Sequence, residues 1–144
     1  MSLHAHPKME RISWQEVWMG FADLISQRSA DPKYKVGAII VASDNTQVLS
    51  VGYNGDHKGG PNIRDSLESG GSGFIHAEIN ALIKCNYHTF QDKIMYVTLS
   101  PCLACAKAII NANIKTVFYK EEYQDQSGIE LLRKFGINAI KYNI

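Results

Sequence analysis

Ile94-Met95-Tyr96-Val97-Thr98-Leu99-Ser100-Pro101-Cys102-Leu103-Ala104-Cys105 is the stretch on which the fold turns. Residues 94–99 form a short apolar run of strand length. Past Pro101 the pattern changes, and Cys102 opens a helix expected to end near Asn113, a residue tolerated in the left-handed conformation after a helix. The same alternation extends both ways. Downstream, residues 116–119 read as a short strand, 128–135 as an amphipathic helix closed by Gly136, and 137–142 as a last strand. Upstream, His76 opens a helix running to about Tyr87, with Ala77, Ala81, Leu82, Ile79 and Ile83 packing inward and Cys85 a small buried hydrophobe.

Nearer the N-terminus, Ser13-Trp14-Gln15-Glu16 is a capping box. Val17, Trp18, Phe21, Leu24 and Ile25 then recur at helical spacing, in a helix that must stop before Asp31-Pro32. Residues 36–41 are a β-branched apolar strand, Ser43-Asp44-Asn45-Thr46 is turn chemistry, and 48–53 is the returning strand of a hairpin. The order α-β-β-α-β-α-β-α-β predicts a three-layer α/β/α fold around a five-stranded sheet, mixed because of the opening hairpin. Residues 54–75 fit no period and hold six glycines, and so long a loop in a compact domain is usually functional or disordered. Both Cys102 and His76 fall where loops or strands pass into helices, the usual place of a ligand crevice in an open α/β sheet.

Composition narrows the function. The length suits a single domain, expected over residues 13–144 behind a flexible arm at 1–12. With 45% hydrophobic and 20% charged residues the chain is ordinary for a soluble globular protein. A net charge of +1 gives no support to a polynucleotide partner. No run approaches the roughly 18 apolar residues of a membrane span. Three cysteines, two of them in one C-x-x-C, make no disulfide framework and fit a reducing cytoplasm.

The chemistry lies in His76-Ala77-Glu78 and Pro101-Cys102-Leu103-Ala104-Cys105. Cys102 and Cys105, three apart in a first helical turn, share a face where free N–H groups favour thiolates, the form zinc binds. His76 adds an imidazole. Three protein ligands leave a zinc ion one place for water, and a nearby carboxylate, Glu78, can move protons to and from that water. Two thiolates and a neutral histidine leave the site without net charge, which tempers Lewis acidity and puts more of the proton handling on Glu78. Glu78 lies roughly 200° around an ideal helix from His76, so both can serve one site only by hanging over the helix end. A C-x-x-C also occurs in redox pairs and structural zinc sites, and His4, His6, His57 or His88 offers a fourth ligand, though none at finger-like spacing.

The pairing H-x-E with P-C-x-x-C resembles the signature of the zinc nucleobase deaminases. From about Trp14 to Tyr142 the chain is similar to the deoxycytidylate (dCMP) deaminase family of the cytidine-deaminase-like fold. The likeness rests on Arg28-Ser29-Ala30-Asp31-Pro32, Val36-Gly37-Ala38-Ile39-Ile40, Gly52-Tyr53-Asn54-Gly55, His76-Ala77-Glu78-Ile79-Asn80-Ala81, Tyr96-Val97-Thr98-Leu99-Ser100-Pro101-Cys102 and Cys105-Ala106-Lys107. The resemblance implies one catalytic zinc on His76, Cys102 and Cys105, with Glu78 as proton shuttle. It further implies nucleotide contact by Asn54, a base pocket lined by Ala77 and Ser100, and Tyr123 and Arg28 near the phosphate. The product is then dUMP, for thymidylate synthesis. The family is commonly hexameric, activated by dCTP with magnesium and inhibited by dTTP, and the resemblance places that effector at Gly52, Tyr53, Asn54 and Gly55.

Each secondary residue also has a plainer reading: Asn54 as a turn residue, Tyr123 as a half-exposed aromatic, Arg28 as a helix-dipole partner. Lys33, Lys35, Lys58 and Arg64 read either as a phosphate-attracting rim or as solvated loop charges. Some relatives carry extra cysteines for a second, structural zinc, where this chain has Ala30-Asp31-Pro32 and Pro61-Asn62-Ile63-Arg64. A second zinc is therefore not expected, and the glycine-rich loop needs another source of order, such as effector or subunit contacts. Deamination of cytosine, guanine, cytidine or a tRNA adenosine uses the same zinc set. A non-catalytic nucleotide-binding regulator remains the alternative of another class, with the retained Glu78 against it.

Overall fold

The computed structural model describes residues 11–88 and 91–143. Ten of the twelve residues of the expected arm lie outside them; Arg11 and Ile12 are exposed. The elements run α1 (Trp14–Ser26), β1 (Gly37–Ala42), β2 (Val48–Tyr53), α2 (Ala77–Lys84), β3 (Lys93–Leu99), α3 (Leu103–Asn111), β4 (Ile114–Glu121), α4 (Ser127–Lys134) and β5 (Asn138–Lys141). The sheet order is β2-β1-β3-β4-β5. β1 is antiparallel to β2 and β3, whereas β3-β4-β5 are parallel, so the sheet is mixed as the hairpin requires.

Every residue of β1 is buried, as expected of a strand covered on both faces. Its side chains divide by parity. Ala38 and Ile40 join Ala77, Ala81, Met95, Ala106, Ile109 and Leu132 beneath α2, α3 and α4. Ile39 and Val41 face Trp18, Met19 and Ala22 of α1, with Tyr96 of β3. The turn between β1 and β2 is pinned to this second core: Trp18 Nε1 donates to Asn45 O (3.1 Å) and the Tyr96 hydroxyl to Asn45 Oδ1 (2.8 Å). Ser13 caps α1 by accepting from Glu16 N at 3.1 Å.

Local differences from the sequence reading have local causes. α2 ends at Lys84 and not near Tyr87, because Cys85 is already extended (φ −85°, ψ 135°) and Asn86 Oδ1 accepts from His88 N at 2.9 Å, which turns the chain. Ile83 is 69% exposed, since the helix buries Ala77, Glu78 and Ala81 and Ile83 points about 200° away from Ala81. Cys85 is only half-buried at the helix end. β4 is longer than expected and β5 shorter. Asn113 (φ 62°) follows α3 in the left-handed conformation. Among the described residues no helix is long and apolar enough to cross a membrane.

Candidate active site

His76 and Cys102 are N-cap residues of α2 and α3, both extended (φ −70°, ψ 153°; φ −72°, ψ 172°), and neither side chain caps its own helix. Both are therefore available to a ligand. Cys105 lies one turn into α3 and is buried. Close backbone contacts fix both helix starts. A Cβ at Gly52 of β2 would lie 2.4 Å from the Ala77 carbonyl oxygen, and one at Gly128 of α4 only 2.1 Å from that of Pro101. Glycine is required at both points, because the backbone of each motif presses directly on its neighbour.

The donor atoms fit zinc. His76 Nδ1 lies 3.2 Å from Cys105 Sγ and 3.5 Å from Cys102 Sγ, and all three lie within 4.8 Å of one another. Tetrahedral zinc, with bonds of about 2.3 Å to sulfur and about 2.0 Å to nitrogen, separates such atoms by roughly 3.5–3.8 Å. Hydrogen bonds from the Cys105 thiol and from His76 outweigh burial and pull Cys102 down to about 4. The neighbouring Cys102 sulfur, and then burial, push the Cys105 thiol up. His76 is raised, chiefly by its hydrogen bond with Cys102. Three groups competing over protons in this way form a set that a divalent cation relieves, by taking both sulfurs as thiolates.

Glu78, in the first turn of α2, is 4% exposed, and burial pushes its carboxyl up to about 7, against weaker lowering by its own backbone N–H and by His76. A carboxyl poised near neutrality beside three metal-donor atoms suits a group that both takes and returns a proton. His76, Glu78 and Cys102 line one open cleft, a concave place of the kind that takes small molecules.

A family profile for the cytidine and deoxycytidylate deaminase zinc-binding region matches residues 12–121. The chain belongs to that family. It is 38% identical over 138 residues to ComE operon protein 2 of Bacillus subtilis (strain 168), across 91% of this chain and 72% of that protein. It is 38% identical over 123 residues to human deoxycytidylate deaminase, across 79% of this chain and 68% of that one. The structure of a dCMP deaminase from the cyanophage S-TIM5, in complex with dCMP and dUMP, superposes with a TM-score of 0.81 at 34% identity and covers 92% of this chain and 99% of that one.

The other expected residues of this family member divide by place. Asn54, Ala77, Ser100 and Tyr123 line the cleft. Ser100 Oγ accepts from Tyr123 N at 2.7 Å, so the two act as one wall. Arg28 is exposed in the turn after α1 and is not among the lining residues. Gly52 is buried under α2, the Tyr53 carbonyl accepts from Asn80 Nδ2 (2.9 Å), and Gly55 bridges to Ile75. Of the four residues expected at an effector, only Asn54 reaches the cleft.

Sequence reading missed Asp31, Tyr34 and Ser72 in the lining; of its two readings of Arg64, a rim charge or a solvated one, the second fails, because Arg64 lines the cleft as a buried side chain. The Arg64 side chain is 4% exposed, and its NH1 donates to Asp31 Oδ2 (2.6 Å) and Oδ1 (2.8 Å). In the sequence Asp31 marks a helix stop and belongs to the Arg28-to-Pro32 segment, with no sign of its ion pair. Burial raises its pKa, but the Lys33 N–H and the Arg64 guanidinium outweigh that and hold it below the usual carboxylate value. Arg64 thus gives the glycine-rich loop a source of order within the chain itself. Pairing of Asp and Arg over 33 residues has no local sequence signal.

Proposed function

We propose that this chain catalyses the hydrolytic deamination of dCMP to dUMP and ammonia, and so supplies dUMP for thymidylate synthesis. The observation that carries the reading is Glu78: a buried carboxyl, raised to about 7, on the same cleft as His76 and Cys102. The deoxycytidylate deaminases among the relatives, and the cyanophage enzyme with dCMP and dUMP, supply the substrate.

Zinc held by His76, Cys102 and Cys105 would supply a water that ionises near neutral pH. Glu78 takes the proton of the attacking water and gives it to the pyrimidine ring nitrogen as the oxygen adds to the amine-bearing carbon. Glu78 then accepts the remaining proton of that oxygen and delivers it to the amine. The carbon–nitrogen bond breaks, and ammonia leaves. Ala77 and Ser100 bound the base.

Asn54 has a limited choice of partner. Its Nδ2 donates to Asp31 Oδ2 (3.2 Å) and the Tyr34 carbonyl (2.8 Å), and its Oδ1 accepts from Val36 N (2.9 Å). With both donors in use, one lone pair remains, which suits a sugar hydroxyl and not a phosphate oxygen. We extend the proposal to a cytoplasmic hexamer activated by dCTP with magnesium and inhibited by dTTP, on the family resemblance.

The test is ammonia release from dCMP by zinc-loaded protein, with dCTP and magnesium present so that an enzyme silent without its activator is not missed. Turnover that disappears in Glu78→Gln, with zinc retained, is the expected result. A folded, zinc-loaded protein that leaves dCMP intact would overturn the substrate assignment, and the same assay across cytosine, guanine, cytidine and tRNA would follow.

A further inference from the structure

Between Gly55 and Ile75, which bridge to each other, the chain makes neither a helix nor a strand. Its two ends are fixed by that bridge, and its middle is held by Arg64. Beyond the two bonds to Asp31, Arg64 Nε donates to the Ser66 carbonyl (2.9 Å) and NH2 to that of Glu68 (3.2 Å). Past these carbonyls the loop closes on itself, Gly71 N to Glu68 O and Asp65 N to Ser72 O, each at 2.9 Å, and presents Gly70 and Ser72 to the cleft. On the other side of the pair, Asp31 Oδ2 also accepts from Asn54 Nδ2. One carboxylate and one guanidinium therefore join two separate parts of the cleft wall, the loop and Asn54.

We propose that Arg64 is a positioning residue: its ion pair with Asp31 sets the glycine-rich loop and the Asn54 amide in one register, and so shapes the nucleotide side of the cleft. This rests on the deaminase reading above. Four features favour placement over simple stabilisation. The pair is buried, 4% and 2% exposed. The guanidinium fork is used on both sides at once, which a lysine ammonium, a point charge, cannot reproduce. Arg64 and Asp31 line the cleft, as do Asn54, which Asp31 holds, and Gly70 and Ser72 of the loop whose Ser66 and Glu68 carbonyls Arg64 holds. None of its hydrogen bonds goes to His76, Glu78, Cys102 or Cys105, which stand on α2 and α3. Loss of Arg64 should therefore weaken substrate binding and leave the chemical step nearly intact.

The experiment compares Arg64→Lys, Arg64→Met and the double variant Asp31→Asn/Arg64→Met as full-length, zinc-loaded proteins below their melting temperatures. Three readouts are taken: KM and kcat for dCMP, thermal stability, and hydrogen exchange of the amides at 65–73. Both single variants should raise KM about tenfold or more while kcat changes by less than about threefold. Loop amides should exchange at least about tenfold faster, with those of α2 and α3 unchanged. The double variant, which removes both buried charges, should recover stability over Arg64→Met without recovering KM. A KM that stays at the wild-type value in folded Arg64→Met, or that recovers together with stability in the double variant, would reduce Arg64 to a structural residue and overturn the proposal. Should the wild-type protein release no ammonia from dCMP, the function reading fails separately. Exchange then decides: faster loop exchange in Arg64→Lys supports the positioning role, and unchanged exchange overturns it.

Discussion

His76 and Cys102 each stand just before a helix pressed onto its neighbour through a glycine, at Gly52 and Gly128. Across the cleft, Gly70 and Ser72 belong to a loop without helix or strand, held by Arg64 and by turns of its own. Backbone contact fixes the first wall, whereas side chains tie down the second. The difference follows the division of labour: proton and metal chemistry needs atoms placed closely on rigid elements, while a wall that admits and releases a nucleotide must be able to give.

The largest effect should come from the rigid wall. His76→Ala and Cys105→Ala should each lose zinc and reduce ammonia release by roughly 10³-fold or more, read by metal analysis and initial rates. Exchange at 65–73 should stay as in the wild type. If the loop loosened as well, the two walls would not be separately built.

Asp31→Asn addresses the second wall. Removing one member of a buried ion pair typically destabilises by about 3–5 kcal/mol, and denaturant unfolding at pH 7 should show a loss of that order. Zinc affinity should be unchanged. The pH dependence has a definite sign. The folded pKa of Asp31 lies below its ordinary value of 3.8, so the folded chain binds fewer protons than the unfolded one. Its contribution is full above that ordinary value and is lost as pH falls through the folded one. Wild type and Asp31→Asn should therefore converge in acid. A constant gap down to the lowest pH would show that the carboxylate charge is not what holds the loop.

Gly128→Ala probes how the rigid wall is fixed. The added methyl would meet the Pro101 carbonyl oxygen at 2.1 Å and the Cys102 backbone at 2.8 Å, both main-chain atoms that cannot rotate away. The Cys102 turn must shift. By analogy with other residues that orient metal ligands, zinc affinity should fall about 10–100-fold in a chelator competition. Unchanged affinity in a folded variant would mean that α4 does not buttress the metal turn.

The two walls also differ in how far the sequence revealed them. The strands were legible because 36–41 and 94–99 are short apolar runs, and the zinc set because all its spacings are local to two helix starts. The end of α2 was not, since the side chain of Asn86 competes with a helical pattern that continues on paper. The ion pair of Arg64 was not legible, because nothing within its own loop announces a carboxylate 33 positions away. Chemistry carried by short spacing survives in one dimension, but an ion pair between two loops exists only after folding.

The smallest effect should come from the loop's tip, where the Ser69 hydroxyl meets that of Tyr123 across the cleft mouth. The contact is exposed, and an exposed hydroxyl pair exchanges easily for water. Tyr123 also keeps other holds: its N–H donates to Ser100 Oγ, its carbonyl accepts from Gln126 Nε2 at 2.5 Å, and its ring packs edge-on to Tyr34 at 6.3 Å. Ser69→Ala should therefore leave stability within about 0.5 kcal/mol of the wild type and change KM for dCMP by less than about threefold. Arg64→Lys, at the buried ion pair, should do more than Ser69→Ala at the exposed hydroxyl contact. If Ser69→Ala raised KM as far as the Arg64 variants, the loop would be latched at the mouth of the cleft and not anchored from behind it, and the ion pair would yield its place to the two hydroxyls.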